Sequence, residues 1–143
     1  MAAARGEVEV EPIWAVVTGG SDGVGLAMVH EMASQGFAVC IMARNLEKMQ
    51  RCLEEIKGLY PSVQTKAVVC DFSEVSTMAE YREIVERDMA TMNVAVLMLN
   101  AGVWEQNAPL HMKEDKNVET TIRVNGLHVI YLTKIFEEMM LKR

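Results

Sequence analysis

Several features are scarce or missing in this sequence of 143 residues, and each absence excludes a class of protein. No stretch approaches the roughly 20 apolar residues that a membrane-spanning helix needs. The net charge of -6 lacks the basic excess of a nucleic-acid-binding surface. The three cysteines, Cys40, Cys52 and Cys70, do not have the spacing of a metal site. The sequence therefore predicts no membrane span, no nucleic-acid partner and no metal.

The first residues also lack the features of a targeting segment. Residues 1–12 have no apolar core like that of a signal peptide, and their acidic residues argue against a mitochondrial presequence. We expect them to form a flexible leader. The three cysteines each lie in an apolar pattern, which predicts buried, reduced thiols and a cytoplasmic location.

Short apolar runs alternate with segments of helical period along the rest of the chain. The runs are apolar throughout, which indicates strands of a parallel sheet that is covered by helices on both faces. Regular strand–helix alternation predicts one α/β domain over 13–143, with a doubly wound, Rossmann-type sheet. The four predicted strands are Ile13–Val17, Phe37–Ala43, Ala67–Cys70 and Val94–Leu99.

The intervening helices have recognisable ends. Gly36 is a typical helix stop, Asn45 is the predicted N-cap of the next helix, and the segment from Thr77 to Glu80 has the form of a capping box. A last helix is predicted from Asp115 to Lys142, with an apolar stripe of Val118, Ile122, Val129, Leu132, Phe136 and Met139.

Asn125 interrupts that stripe, beside the helix-weakening Gly126. A buried asparagine needs hydrogen-bond partners. Periodicity alone leaves two alternatives open: Asn125 is satisfied by a neighbouring backbone carbonyl, or it has a functional role.

A glycine-rich turn follows the first predicted strand. Gly19 can take the positive φ of a sharp turn, Gly23 allows a pyrophosphate to approach the backbone, and Gly25 allows close packing of the helix. The helix that begins here points its free N–H groups at the phosphates. No Gly-Lys-Ser/Thr follows, so the turn is not a P-loop. The pattern predicts a dinucleotide site.

The spacing Thr-Gly-x-x-x-Gly-x-Gly resembles the fingerprint of the short-chain dehydrogenases/reductases. That resemblance implies that the turn binds the cofactor through Thr18, Gly19, Ser21, Gly23, Val24 and Gly25. At the end of the second strand, where NAD-preferring members carry an aspartate, this chain has Ala43 and then Arg44. An arginine there suits the 2′-phosphate of NADP, although a solvated surface arginine is the alternative for Arg44 in isolation.

Two further motifs match the family in order. Asp71 and Phe72 follow the third strand, where the family uses an aspartate to hold the adenine amino group. Asn100, Ala101 and Gly102 follow the fourth strand and resemble the family's Asn-Asn-Ala-Gly turn, with Leu99 in place of the first asparagine. Asn125 falls where the family has the helix asparagine of a Ser-Tyr-Lys-Asn tetrad, at a local kink. The resemblance therefore implies an NADP(H) site.

Within the family, the segments around Trp14, Arg44 and Asp71 look most like the 17β-hydroxysteroid dehydrogenase and very-long-chain 3-oxoacyl-CoA reductase branch. That branch implies a lipid-like substrate and, by resemblance, a peripheral place at the endoplasmic reticulum.

The catalytic pair of that family is not found. Its tyrosine is followed four residues later by a lysine, whereas Tyr60, Tyr81 and Tyr131 are followed at that spacing by Gln64, Val85 and Ile135. Lys134 lies only three residues after Tyr131, and we interpret that tyrosine as structural. By resemblance, a fifth strand with the catalytic serine would come after Arg143, so we expect the chain to be inactive alone.

Strand order 3-2-1-4 follows from the resemblance and leaves the apolar fourth strand at an edge, where another chain could pair with it or aggregate. Three hypotheses about function remain. The chain is a truncated portion of an NADP-dependent oxidoreductase that acts on a carbonyl or secondary alcohol. Alternatively, it is a non-catalytic nucleotide-binding or assembly module with a partner chain. A methyltransferase that binds S-adenosylmethionine is disfavoured because it predicts a carboxylate where Ala43 and Arg44 stand.

Overall fold

The structure is a computed structural model that describes residues 11–105 and 107–142. Most of the predicted leader, residues 1–10, lies outside the described residues. The strands are β1 (Ile13–Thr18), β2 (Ala38–Ala43), β3 (Thr65–Val69) and β4 (Asn93–Leu99). The helices are α1 (Gly23–Ser34), α2 (Leu46–Leu59), α3 (Met78–Met89), α4 (Asp115–Ile122) and α5 (His128–Leu141). A short 3-10 helix spans Leu110–Met112, and a π-helical segment spans Arg123–Leu127.

The four strands form one parallel sheet of order β3-β2-β1-β4, which confirms the predicted topology. β1 and β2 lie in the middle, and every residue of β2 is buried. β4 pairs with β1 and, among the residues that the structure describes, with no strand on its other side. Its residues from Val96 to Leu99 are only half-buried, as expected at an edge. No helix in the described ranges is long and apolar enough to cross a membrane.

Each face of the sheet carries its own apolar core, as the uninterrupted apolar strands predict. On one face α3 and α5 pack around Tyr81, Leu132 and Phe136. On the other, α1 and α2 pack around Val29, Met49 and Ile56. Arg82 of α3 forms a bidentate ion pair with Glu138 of α5, which links these two helices.

The predicted helix ends are confirmed. Gly36 takes φ +85° just after α1, and its amide donates to the Ala33 carbonyl. The Asn45 side chain accepts from the Lys48 amide at the start of α2. Thr77 and Glu80 form a complete capping box at the start of α3.

The predicted stripe of the last helix is wrong in its first half. Ile122 is 57% exposed and Asn125 is exposed, whereas the core takes Val124, His128, Leu132, Ile135 and Phe136. The π-helical segment explains the difference. The His128 amide donates to the Arg123 carbonyl, five residues back, so one turn contains an extra residue and the buried face shifts around the helix.

Candidate functional site

An open cavity of about 490 Å³ lies where the carboxyl ends of the four strands meet. Parallel α/β sheets bind their ligands at this edge. The cavity is lined by three groups of residues: the glycine turn, the end of β2 with the first turn of α2, and the segments after β3 and β4. These are Gly19, Ser21, Asp22, Ala43, Arg44, Asn45, Lys48, Cys70, Asp71, Phe72, Ser73, Asn100, Ala101, Gly102, Val103 and Val124.

The glycine turn has the geometry that the sequence predicts. Gly19 takes φ +65°, and its amide donates to the Met42 carbonyl of the neighbouring strand. A Cβ on Gly25 would lie 2.3 Å from the Gly19 carbonyl oxygen, so the helix approaches the turn as closely as glycine allows. Gly23 takes φ +49° and has no atom within 4 Å of a Cβ position, which leaves open space for a ligand above it.

Asn100 joins the glycine turn to the turn after β4. Its side-chain amide donates to the carbonyl oxygens of Thr18 and Gly19, at 3.2 and 3.3 Å. The Thr18 hydroxyl oxygen in turn accepts from the backbone amides of Asn100 and Ala101, each at 3.0 Å. Because Thr18 is fully buried, these bonds satisfy polar groups that water cannot reach. Thr18 and Asn100 therefore fix the floor of the cavity.

Two cations line the cavity at the end of β2. Arg44 is exposed and makes no hydrogen bond or ion pair with any described residue. Lys48 forms an ion pair with Asp22 of the glycine turn. The Lys48 ammonium, followed by the Gly23 amide, holds the pKa of Asp22 below its usual range, so this carboxylate is charged at neutral pH. Arg44 is thus available to an external anion.

Asp71 lies across the cavity from the glycine turn. Its Oδ1 accepts from the Ser73 hydroxyl at 2.6 Å and from the Ser73 amide at 3.0 Å. The Ser73 hydroxyl is the main reason that the pKa of Asp71 is lowered, and the charge of Arg44 acts in the same direction. Oδ2 has no hydrogen-bond partner among the described residues, so it can accept from a ligand. Phe72 lines the cavity although its ring is mostly buried against His128, with ring centroids 4.6 Å apart.

Asn125 is held by the backbone of Val103. Its Oδ1 accepts from the Val103 amide at 2.8 Å, and its Nδ2 donates to the Val103 carbonyl at 2.9 Å. Of the two alternatives for Asn125, the structure shows the first, a hydrogen bond to a backbone carbonyl. The expected burial is wrong because the π-helical turn places this side chain toward the segment after β4. Both of its polar groups are occupied, so its orientation is fixed.

Only some of the predicted site residues line the cavity. Those that line the cavity are Gly19, Ser21, Arg44, Asp71, Phe72, Asn100, Ala101 and Gly102. Thr18 and Gly25 are buried beneath the turn, whereas Gly23 and Val24 are exposed beside it and Asn125 is bound to Val103. Sequence reasoning missed two charged residues that line the cavity, Asp22 and Lys48, and also the buried His128, which contacts Thr18. The available signal for Lys48 was its closeness in sequence to Arg44, since it lies four residues later, in the first turn of α2.

Comparisons with known proteins identify relatives of this chain. The short chain dehydrogenase family profile matches residues 13–143. Very-long-chain 3-oxoacyl-CoA reductase-A of Danio rerio is 31% identical over 125 residues, which are 85% of this chain and 38% of that protein. 17-beta-hydroxysteroid dehydrogenase type 3 of Danio rerio is 33% identical over 109 residues, which are 76% of this chain and 34% of that protein.

A solved structure of a metagenomic short-chain oxidoreductase in complex with NADP is 28% identical, with a TM-score of 0.77. The match covers 93% of this chain and 58% of that one. The chain therefore spans only part of the length of its relatives. The part that it spans contains the glycine turn and the four-stranded sheet of order 3-2-1-4. It belongs to the short-chain dehydrogenase family.

Proposed function

We propose that this chain binds NADP(H) in the cavity at the carboxyl ends of its strands. The observation that carries the proposal is Arg44, an exposed guanidinium that lines the cavity and has no ion-pair partner among the described residues. A guanidinium suits the 2′-phosphate because it offers paired, charge-assisted hydrogen bonds. The relative solved with NADP, which has the same fold, supports this choice of cofactor.

The remaining parts of the nucleotide have matching groups around the cavity. The pyrophosphate would lie over Gly23, where no atom occupies the space and the first turn of α1 offers backbone amides. The adenine amino group would donate to Oδ2 of Asp71, which is unused within the described chain. Thr18 and Asn100 would act indirectly, because they hold the two turns together beneath the nucleotide.

We also infer an activity for a whole protein of the relatives' length, of which this chain would be a portion. The chain spans 38% and 34% of two curated relatives, whose names are a 3-oxoacyl-CoA reductase and a hydroxysteroid dehydrogenase. We infer an NADP(H)-dependent oxidoreductase acting on a carbonyl or secondary alcohol of a steroid-like or fatty-acyl substrate. NADP(H), when bound, supplies or accepts the hydride. In this chain Asn125, to which the family resemblance gives the tetrad position, would hold the segment after β4 in place through its two bonds to Val103.

The cofactor part is tested by titrating the whole chain with NADPH and NADH by calorimetry. Replacing Arg44 with alanine should weaken NADPH binding by about 1–3 kcal/mol more than NADH binding, because only NADPH carries the 2′-phosphate. Arg51 is a matched control: it is an exposed arginine on α2 that does not line the cavity. Equal losses for the two cofactors after Arg44→Ala would show that Arg44 does not bind the phosphate.

A second candidate function is a non-catalytic module that pairs with another chain along β4. It is favoured by the open side of β4, which has no strand partner within the described residues and carries half-exposed apolar side chains. Sedimentation of the purified chain tests it. Self-association that is lost in Ala95→Lys, an exposed edge position, would support strand pairing. A stable monomer at high concentration would argue against self-pairing.

We also propose a cytoplasmic location. Its support is the three free cysteines, Cys40, Cys52 and Cys70, which suit a reducing compartment. Burial raises the pKa of Cys40 and Cys70 to about 12, so both remain unreactive thiols. Imaging of the tagged chain against an endoplasmic reticulum marker would distinguish the cytoplasm from a peripheral place on that membrane.

A further inference from the structure

Lys48 is the second cation of the cavity, and its backbone is fixed independently of its charge. Its amide donates to the Asn45 side chain at 2.9 Å, within the first turn of α2. The side chain then crosses from α2 to the glycine turn, where the ammonium contacts Oδ2 of Asp22, 26 residues earlier in the chain. The ammonium therefore lies between the end of β2 and the start of α1.

Asp22 occupies a position where a nucleotide would bring further negative charge. It is the N-cap of α1, and its Oδ1 accepts from the Gly23 amide at 2.8 Å. Its carboxylate lines the same cavity as Arg44. An approaching phosphate would be repelled by this carboxylate and attracted by the Lys48 ammonium in contact with it, so the two side chains act on the nucleotide in opposite directions.

The ion pair between Lys48 and Asp22 is open to solvent. The two side chains are 41% and 80% exposed. Exposed ion pairs contribute little to stability because water screens them. Lys48 can therefore exchange Asp22 for a stronger anion at small cost. A phosphate monoester carries between one and two negative charges near neutral pH, which one guanidinium does not fully neutralise.

Building on the proposed binding of NADP(H), we infer that Lys48 is a second residue that selects NADP(H) over NAD(H). Its ammonium moves from Asp22 to the 2′-phosphate and binds it together with Arg44. Asp22 competes with the phosphate for Lys48 and so lowers the affinity for the nucleotide.

The first test is calorimetric titration of the whole chain and its variants with NADPH and NADH. Lys48→Ala should weaken NADPH binding about fivefold or more and NADH binding less than about twofold. Lys48→Arg should restore the preference because it keeps the charge. Lys57→Ala is the matched control, since Lys57 is exposed near the other end of α2. Equal weakening of both cofactors would place Lys48 at the shared pyrophosphate and overturn the inference.

The second test separates direct contact from simple neutralisation of Asp22. Asp22→Asn removes the charge but keeps a good N-cap, so α1 should remain intact. It should tighten NADPH binding by about threefold. Lys48→Ala in that background should still weaken NADPH more than NADH. If it then has no effect, Lys48 acts only by neutralising Asp22, and the inference is wrong.

The outcomes also separate this inference from the function on which it rests. Absence of NADPH binding by the unmodified chain would overturn the proposed function itself. Binding that loses its NADPH preference in Arg44→Ala but not in Lys48→Ala would leave the proposed function standing and refute only the role of Lys48.

Discussion

Nε2 of His128 lies 3.4 Å from the Thr18 hydroxyl oxygen, and both residues are fully buried. The Thr18 oxygen already accepts from the amides of Asn100 and Ala101, so its own hydrogen is available for the imidazole. This arrangement requires a neutral His128. It links the start of α5 to the strand end that carries the glycine turn, 110 residues earlier.

Replacing Thr18 with valine should therefore destabilise the chain. Valine keeps the shape of the side chain but leaves the Asn100 and Ala101 amides without their acceptor, at an expected loss of about 1–3 kcal/mol in unfolding free energy. Urea unfolding measures it. Thr133→Val is the control, because the Thr133 hydroxyl bonds only a carbonyl of its own exposed helix turn. Equal stability of the two variants would contradict the role given to Thr18.

His128 should also make stability depend on pH. Burial lowers the pKa of His128 below its ordinary value of 6.5, and the nearby Val124 carbonyl opposes this without cancelling it. As the pH falls below about 6.5, His128 therefore binds a proton in the unfolded chain before it does so in the folded chain. The contribution of neutral His128 is complete above that pH and is lost progressively below it, by at most about 1.4 kcal/mol per pH unit.

Unfolding in urea between pH 5 and 7.5 measures this loss. The unfolding free energy of His128→Gln should decline less toward low pH than that of the unmodified chain. Thr133→Val, an exposed substitution that removes no titrating group, should leave the decline unchanged. The carboxylates of Asp22 and Asp71, whose pKa values are lowered, add a decline at lower pH that all three proteins share. Parallel curves for the unmodified chain and His128→Gln would exclude His128 as the cause.

Much of the fold could be predicted because its signals are local. Four apolar runs, the Gly36 stop and the capping box at Thr77 each lie within a few residues, and the structure confirms them. The shape of the glycine turn was also predictable, since the positive φ of Gly19 and the close approach of Gly25 depend on the absence of a side chain.

The parts that escaped prediction depend on contacts between distant residues or on a break in regular geometry. A period of 3.6 residues cannot anticipate the wider π-helical turn, so the predicted stripe through Ile122 and Asn125 lies on the wrong face of the helix. The pairing of Asp22 with Lys48 and of Thr18 with His128 arises only when the sheet brings separate segments together.

Gly25 gives a prediction about the turn itself. A methyl group there would lie 2.3 Å from the Gly19 carbonyl oxygen and 2.5 Å from Nδ2 of Asn100, so the turn must move. Gly25→Ala should lower the unfolding free energy by about 1–3 kcal/mol, the usual effect of overpacking. Gly58→Ala, on α2 with no atom within 4 Å, should instead stabilise by up to about 1 kcal/mol. Thermal unfolding compares the two, and stabilisation by both would show that Gly25 is not confined.

The hydroxyl of Tyr81 gives the last prediction. Tyr81 is fully buried, and its hydroxyl has no hydrogen-bond partner among the described residues. Burial raises the pKa of Tyr81, so the phenol stays protonated. An unsatisfied buried hydroxyl costs free energy while the ring stabilises the core, through contacts with Phe72 and Tyr131.

Tyr81→Phe keeps the ring and removes the unsatisfied group, so the unfolding free energy should stay equal or rise by about 1 kcal/mol. Tyr81→Leu, which loses the aromatic contacts, should instead lower it by about 1 kcal/mol or more. Chemical unfolding of the two variants beside the unmodified chain measures both effects. A clear loss of stability in Tyr81→Phe would mean that the hydroxyl has a partner, such as a buried water, because only a lost hydrogen bond would make the smaller side chain worse.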